Sequence, residues 1–221
     1  MKTIDLHIHT TASDGTYTPK ELIDYAVKKG LSAIAITDHD TMSGIQEAMD
    51  YISEYKLPIE LIPGMEMSAS GLGDIFGTHI LAYFPNKNKE ELSIIINNVA
   101  TDFSKSSENP RDAIKIVSQY GGITSLAHPT DYSYSMTKLE KLIGELASIG
   151  ITGVEAIYTT HSDAQIKQFK AIAVKYNLII TGGTDFHGAR KPDVDLGNGH
   201  GNLVIPYEIV ELMKKKAAEI I

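Results

Sequence analysis

Short apolar runs recur along the 221 residues, at 3–8, 32–36, 59–65, 78–84, 123–127, 153–157 and 178–181. Most are followed by a stretch in which apolar residues return every three or four positions. Short apolar runs predict buried strands and the longer period predicts amphipathic helices, so the chain reads as a series of βα units. Thr18-Pro19 and Asn109-Pro110 each set a capping side chain before a proline, and Ser162-Asp163-Ala164-Gln165 has capping-box spacing. Gly30, Gly121 and Gly150 stand where helices should end. Residues 59–84 break the rhythm, because two strands follow each other around Gly71-Leu72-Gly73 with no helix between them. A barrel built this way is irregular. Residues 101–109 are the most polar stretch and predict an exposed bend between two helices. Residues 206–221 read as a final helix, with Lys214-Lys215-Lys216 near its end, where cations suit the helix dipole. No repeat or linker divides the chain, so 1–221 is expected to form a single domain.

Composition narrows the function classes. Apolar residues make up 43%, enough for a sizeable core, and the net charge of −8 argues against a broad surface gripping long nucleic acid. With no cysteine, thiolate ligands, cysteine nucleophiles and disulfides are excluded, so any metal must be held by nitrogen and oxygen. The N-terminal residues reach charged and histidine positions at once, without the apolar core of a secretory signal, and no run is long enough to span a membrane. A soluble cytoplasmic protein is the expectation.

Metal-capable residues gather where strands end. Asp5-Leu6-His7-Ile8-His9 places two imidazoles two residues apart, which on a strand puts both on one face. His7, His9 and Asp14 follow the first strand and His39 the second; Glu66 ends the third, His79 lies in the fourth and His128 follows the fifth. Asp185 and His187 follow the seventh. In a βα barrel such positions lie on one rim, the one that carries catalysis. His161, after the sixth strand, is a candidate phosphate contact or leaving-group acid, and Arg190 and Lys191 could reach a substrate phosphate. Asp38 is read as an orienting partner of His39, while Asp5 and Asp40 stand between orienting and capping roles. His200, in a glycine-rich turn, reads as solvated or structural.

The motifs Asp5-Leu6-His7-Ile8-His9-Thr10, Ala12-Ser13-Asp14-Gly15, Ile36-Thr37-Asp38-His39-Asp40, Gly64-Met65-Glu66, Ala127-His128-Pro129 and Gly183-Thr184-Asp185-Phe186-His187-Gly188 resemble those of the PHP (polymerase and histidinol phosphatase) family of metal-dependent phosphoesterases. The resemblance covers nearly the whole chain. It implies a distorted (β/α)7 barrel, TIM-like, with three divalent ions: one on His7, His9, Glu66 and Asp185, a second on Glu66, His79 and His128, and a third on Asp14, His39 and His187. Three crowded carboxylates would resist ionisation without cations, and three divalent ions would leave the pocket attractive to phosphate. Nitrogen and oxygen ligands suit Mn, Fe or Zn. The implied chemistry is in-line attack on phosphorus by a metal-bridging hydroxide.

Within the family the Ala-Ser-Asp-Gly run, with Thr18-Pro19 and Thr37-Asp38-His39-Asp40-Thr41, looks most like the branch acting on nucleoside 3′,5′-bisphosphates and short oligonucleotides. Between strands four and five this chain has only helical segments and a bend, where longer members carry an inserted domain. Histidinol phosphate is the rival substrate. An amidohydrolase acting on C–N bonds would share His7 and His9 but has no use for Asp14, His39 and His187. A non-catalytic accessory module would show lost ligands.

Overall fold

The computed structural model describes residues 2–72 and 75–220. Fourteen main elements follow one another as β1 (Ile4–Asp5), α1 (Pro19–Lys28), β2 (Ala33–Ile36), α2 (Ile45–Tyr55), β3 (Glu60–Leu72), β4 (Ile75–Tyr83), α3 (Lys89–Ser104), α4 (Pro110–Gln119), β5 (Ile123–Leu126), α5 (Met136–Ser148), β6 (Gly153–Tyr158), α6 (Asp163–Lys175), β7 (Ile179–Gly183) and α7 (Glu208–Ala217). The strands form one sheet in sequence order. It closes on itself where Leu6 N–H donates to Gly182 O, Asp185 N–H to His7 O and His9 N–H to Phe186 O, at 3.2, 2.8 and 2.9 Å. The distorted (β/α)7 barrel is therefore present.

Helix starts follow the sequence signals. Thr18 and Ser162 form capping boxes with Glu21 and Gln165, and Asn109 caps α4 ahead of Pro110. Gly30, Gly121 and Gly150 take positive φ just past α1, α4 and α5, a conformation that costs glycine nothing. The polar bend is shorter than the sequence predicts, because α3 runs on to Ser104. The last helix is likewise shorter, Glu208–Ala217, and Ile221 and Gly73 lie outside the described residues.

The distortion has a definite origin. β3 and β4 pair antiparallel from Gly64↔Tyr83 to Leu72↔Ile75, so β4 runs down the barrel while the other strands run up. Two helices, α3 and α4, then carry the chain up and back before β5, and β5 to β7 are parallel again. As a result it is the N-terminal half of β4 that reaches the upper rim. His79 belongs to the rim for that reason, and not because it ends a strand.

The barrel interior is divided by height. Its lower half is filled by Ile4, Leu6, Ala35, Ile62, Leu81 and Tyr83, and Ile209, Val210 and Met213 of α7 join the same cluster and plug the base. A separate layer, including Ile34, Ile36, Leu22, Val154 and Phe169, packs strands against helices. β1 departs from the expected regular strand over 3–8, because only Ile4 and Asp5 are laddered and His7 N–H turns to the Asp5 carboxylate at 3.3 Å. Leu6 joins the inner apolar cluster while His7, next in sequence, reaches the inward Glu66. Regular alternation is thus broken between them, which lets neighbouring residues both face the lumen. Gly183 lies against this kink; a Cβ there would come within 2.2 Å of His7 Cβ.

Asp5 is the latch of the closure. Fully buried, it accepts from Thr184 N–H (3.0 Å), Thr184 Oγ1 (2.5 Å), Gly197 N–H (2.9 Å) and His7 N–H. Burial raises its pKa to about 6, and the hydrogen bonds oppose that rise. Asp5→Asn would set an amide NH2 against groups that already donate, so it should cost about 2–3 kcal/mol. Thermal unfolding should show a midpoint lower by roughly 5–10 °C; an unchanged midpoint would mean that closure does not depend on this carboxylate.

Candidate active site

The upper rim converges on one carboxylate. Glu66 is 1% exposed, and its two oxygens are surrounded by imidazole nitrogens. Oε2 lies 3.0 Å from His7 Nε2, 3.0 Å from His9 Nε2 and 3.4 Å from His39 Nδ1. Oε1 lies 2.8 Å from His79 Nδ1 and 2.9 Å from His128 Nε2. Asp185 Oδ1 joins the first set, 3.3 Å from His9 Nε2 and 3.6 Å from His7 Nε2. Asp14 Oδ1 stands on the far side of His9, 3.2 Å from His187 Nε2 and 4.0 Å from His39 Nε2. All nine metal-capable residues expected from the sequence are brought together.

Their grouping differs from the partition the resemblance implies. His7, His9, Glu66 and Asp185 form one set; His9, Asp14, His39 and His187 form another; His39, Glu66 and His79 form the third. His9 and His39 are each shared, and His128 touches the centre through Glu66 Oε1 alone. The sets are contiguous.

The imidazoles are oriented from behind by residues the sequence reading passed over. His7 Nδ1 lies 3.1 and 3.3 Å from the two oxygens of Glu155, a fully buried residue in the apolar strand β6, and Glu155 also accepts from His128 N–H at 2.7 Å. The Glu155 carboxylate holds a proton on Nδ1, which makes Nε2 the nitrogen that would bind a cation, and Nε2 carries its own proton to Glu66 when no cation is there. His187 Nδ1–H donates to Asp185 O at 2.9 Å, which frees its Nε2 in the same way. Asp38 does not act on its neighbour His39. It accepts from Thr10 N–H, Thr10 Oγ1 and Ser13 Oγ, and Ser13 Oγ stands 3.5 Å from His9 Nδ1, so its influence passes through the loop after β1. Asp40 accepts from Ser68 N–H and pins the rim end of β3. Asp40, His128 and Asp185 all have positive φ, strain of about 1–3 kcal/mol each that the surrounding contacts must hold.

Whether these residues suit a metal is decided by geometry. His9 Nε2 is buried and lies 3.0 Å from Glu66 Oε2 and 3.3 Å from Asp185 Oδ1, yet it forms no hydrogen bond to either. His39 Nδ1 is in the same position beside Glu66. Lone pairs that approach closely without aligning donor to acceptor converge on a common point, as ligands of a cation do. The donors are all nitrogen and oxygen, and a divalent ion fits them.

Charge coupling across the site is strong. Burial works against the charged forms of His7 and Glu66, but their mutual attraction prevails, raising His7 well above the usual imidazole range and holding Glu66 well below the carboxylate range. His187 is pushed down to about 4 by burial and by the charge of His9, and burial also lowers His39.

The remaining expected site residues lie as follows. His161 is 7% exposed, stacked 4.9 Å from Phe169 and edge-on to Tyr158; its Nδ1 lies 3.0 Å from Ala156 O and its Nε2 is buried without a partner. The residue read as a candidate phosphate contact or leaving-group acid is thus packed against Phe169 and Tyr158. With the Nδ1 proton held by a carbonyl and the pKa lowered by burial, Nε2 is an acceptor. Arg190 is exposed and makes no ion pair among the described residues, whereas Lys191 Nζ lies 2.5 Å from Asp185 Oδ2. His200 is exposed, its Nδ1 2.9 Å from Asp193 O, in keeping with a structural part.

A closed βα barrel with eight nitrogen- and oxygen-bearing residues in groups that could hold a metal ion fits one class, the metal-dependent hydrolases of phosphoester bonds. The chain belongs to the PHP-domain family, whose pattern matches residues 5–183. It is 25% identical to a phosphoribosyl 1,2-cyclic phosphate 1,2-diphosphodiesterase of Eggerthella lenta, over 83% of this chain and 94% of the relative. It is 23% identical to a 3′,5′-nucleoside bisphosphate phosphatase of Chromobacterium violaceum, over 90% and 92%. Both alignments run over more positions, 253 and 261, than this chain has residues, so the relatives carry segments inside the matched span that are missing here. A solved structure from Bifidobacterium adolescentis, assigned as a metal-dependent phosphoesterase, superposes with a TM-score of 0.76 at 22% identity, covering 97% of this chain and 96% of that one.

The central place of Glu66 sets up a comparison. Glu66→Gln should strip metal from more than one position, while Asp14→Asn should release one ion, since Asp14 serves one set and Glu66 two. Elemental analysis after dialysis against a weak chelator would show the difference, and equal losses would refute the bridging role.

Proposed function

We propose that this chain removes phosphate from a small nucleotide, a nucleoside 3′,5′-bisphosphate or a short 5′-phosphorylated oligonucleotide, using three divalent ions of Mn, Fe or Zn. The observation that carries the metal reading is the convergence of buried, unaligned lone pairs on Glu66 and Asp185. Bound divalent ions supply Lewis acidity, acidifying water and neutralising phosphoryl oxygens. The residues do the placing. His7, His9, Glu66 and Asp185 would hold one ion, His39, His79 and His128 would share Glu66 around a second, and Asp14, His39 and His187 would hold a third. Glu155, acting through His7 and the backbone of His128, keeps two ligands in register.

The substrate class rests on the Ala12-Ser13-Asp14-Gly15 run and on the bisphosphate phosphatase relative. An acidic chain offers few of the cationic contacts that long polymers need, so small substrates are favoured. Among the described residues no helix is long and apolar enough to cross a membrane. An amidohydrolase reading leaves the Asp14, His39 and His187 set without a purpose, and an accessory module would have no need to retain nine converging ligands.

Adenosine 3′,5′-bisphosphate should be hydrolysed with kcat/KM at least about tenfold above histidinol phosphate, a difference of ~1.4 kcal/mol in transition-state binding, and chelation should abolish both activities. A reversed preference would place the chain in the histidinol phosphatase branch.

His161 gives a second test. With Nδ1 on the Ala156 carbonyl and the ring packed on Phe169, the arrangement supports a positioning part over proton donation, so His161→Ala should slow alkyl phosphates and p-nitrophenyl phosphate to the same extent. Selective slowing of the alkyl ester, by roughly 10²–10⁴-fold, would restore the leaving-group acid.

A further inference from the structure

The two oxygens of Asp185 face different partners. Oδ1 points to the imidazoles, 3.3 Å from His9 Nε2 and 3.3 Å from His187 Nδ1. Oδ2 receives the Tyr158 hydroxyl at 3.0 Å and Lys191 Nζ at 2.5 Å. Tyr158 is itself shared, because its oxygen also lies 3.1 Å from Asp131 Oδ2. A phenol carries one proton and can serve one of these carboxylates at a time. With the ammonium on Asp185, that proton is free for Asp131; if the ammonium leaves, Tyr158 can turn it back to Asp185.

Lys191 is able to leave. Its side chain is 39% exposed and belongs to the loop just after the short turn Gly188–Arg190, whereas the side chain of Asp185 is 7% exposed and fixed between β7 and β1. A lysine is a compact charge on a flexible stem, unlike the rigid fork of arginine, so its contacts exchange readily. A cation held by Oδ1 and the imidazoles would share one carboxylate with the ammonium on Oδ2. Like charges that close repel strongly where water is scarce.

We propose that Lys191 is a displaceable counter-ion: it competes with the divalent cation for Asp185, and once displaced it binds a phosphate oxygen of the substrate. The inference rests on the metal-dependent reading above. Metal loading and anion binding are then linked through one side chain, and the linkage is reciprocal. Tyr158 has the opposite part, a neutral donor that stays beside Asp185 and supports its carboxylate for the cation once the ammonium has left.

The sign of a metal-affinity change separates this from a merely structural lysine. Metal-depleted wild type, Lys191→Met, Lys191→Arg and Tyr158→Phe proteins would be titrated with Mn²⁺ by calorimetry, and inorganic phosphate then titrated into each Mn²⁺-loaded form. Lys191→Met should bind Mn²⁺ about tenfold more tightly at one position and phosphate about tenfold more weakly. Lys191→Arg should retain phosphate affinity, and Tyr158→Phe should weaken Mn²⁺ binding by about tenfold. Weaker Mn²⁺ binding in Lys191→Met would make Lys191 a positioning donor like Tyr158 and overturn the proposal, as would unchanged Mn²⁺ or phosphate affinity in that variant. A wild type that binds no Mn²⁺ would instead refute the metal reading itself.

Discussion

One buried carboxylate among five imidazoles is the constraint on which the rest of this barrel depends. An isolated buried charge costs several kcal/mol, so Glu66 can lie 1% exposed only if cationic or hydrogen-bonding partners meet it from every side. Four strands or the loops after them supply those partners, and each must arrive at a fixed height. That demand explains the other buried polar groups. Asp5 holds β1 to the turn after β7, Asp38 holds the loop that carries His9, and Glu155 holds His7 and the backbone of His128. Each of these groups is hydrogen-bonded, as low-dielectric burial requires. The lower barrel, filled with aliphatic side chains and plugged by α7, needs no such precision.

The reversed strand serves the same end. A regular βα unit would bring the C-terminal end of β4 to the rim, and that end is apolar Leu81, Ala82 and Tyr83. Reversal presents His79 two positions above the Glu66 level, at a pair with Ser68, where its Nδ1 meets Oε1. Reversal leaves the chain at the base, where β5 must begin, so α3 and α4 form an up-and-back excursion over the outside of the barrel between two strands that pair directly.

Much of this was legible in the sequence, and what was missed has physical reasons. The order of strands and helices, the capping prolines and the gathering of nine residues on one rim are legible because local patterns carry them, whereas β3 runs on to Leu72, past the expected 65, because its partner β4 extends the ladder there. The direction of β4 is not, because alternation and apolar runs look the same in either direction. Glu155 was overlooked since one carboxylate in Gly-Val-Glu-Ala-Ile-Tyr does not change the strand pattern; its signal was the rarity of an acid in a run otherwise wholly buried. Tyr158 likewise passes for a core aromatic until its hydroxyl is seen beside Asp185 and Asp131. His161 was placed on the correct rim, but its orientation depends on Phe169, a contact set by how α6 packs. Asp38 was assigned the wrong client because sequence neighbours at a strand end point in opposite directions.

The charge balance shows why an acidic chain can still select an anion. The net charge of −8 repels phosphate at long range, and the carboxylates of Glu66, Asp185 and Asp14 would repel it at short range as well. Only cations at the rim reverse the local sign, and three divalent ions would offset most of the total. Substrate attraction is then confined to the few ångströms where ligands converge, which favours compact phosphate esters over polymers that draw on charge spread along a surface. His39 and His79 are about 30% exposed at this mouth, so the ions would meet incoming phosphate directly, while His7 and His9, fully buried, would hold them from beneath. The buried imidazoles and the exposed ones thus divide the work by depth, the first anchoring a cation and the second leaving one of its faces open to the mouth.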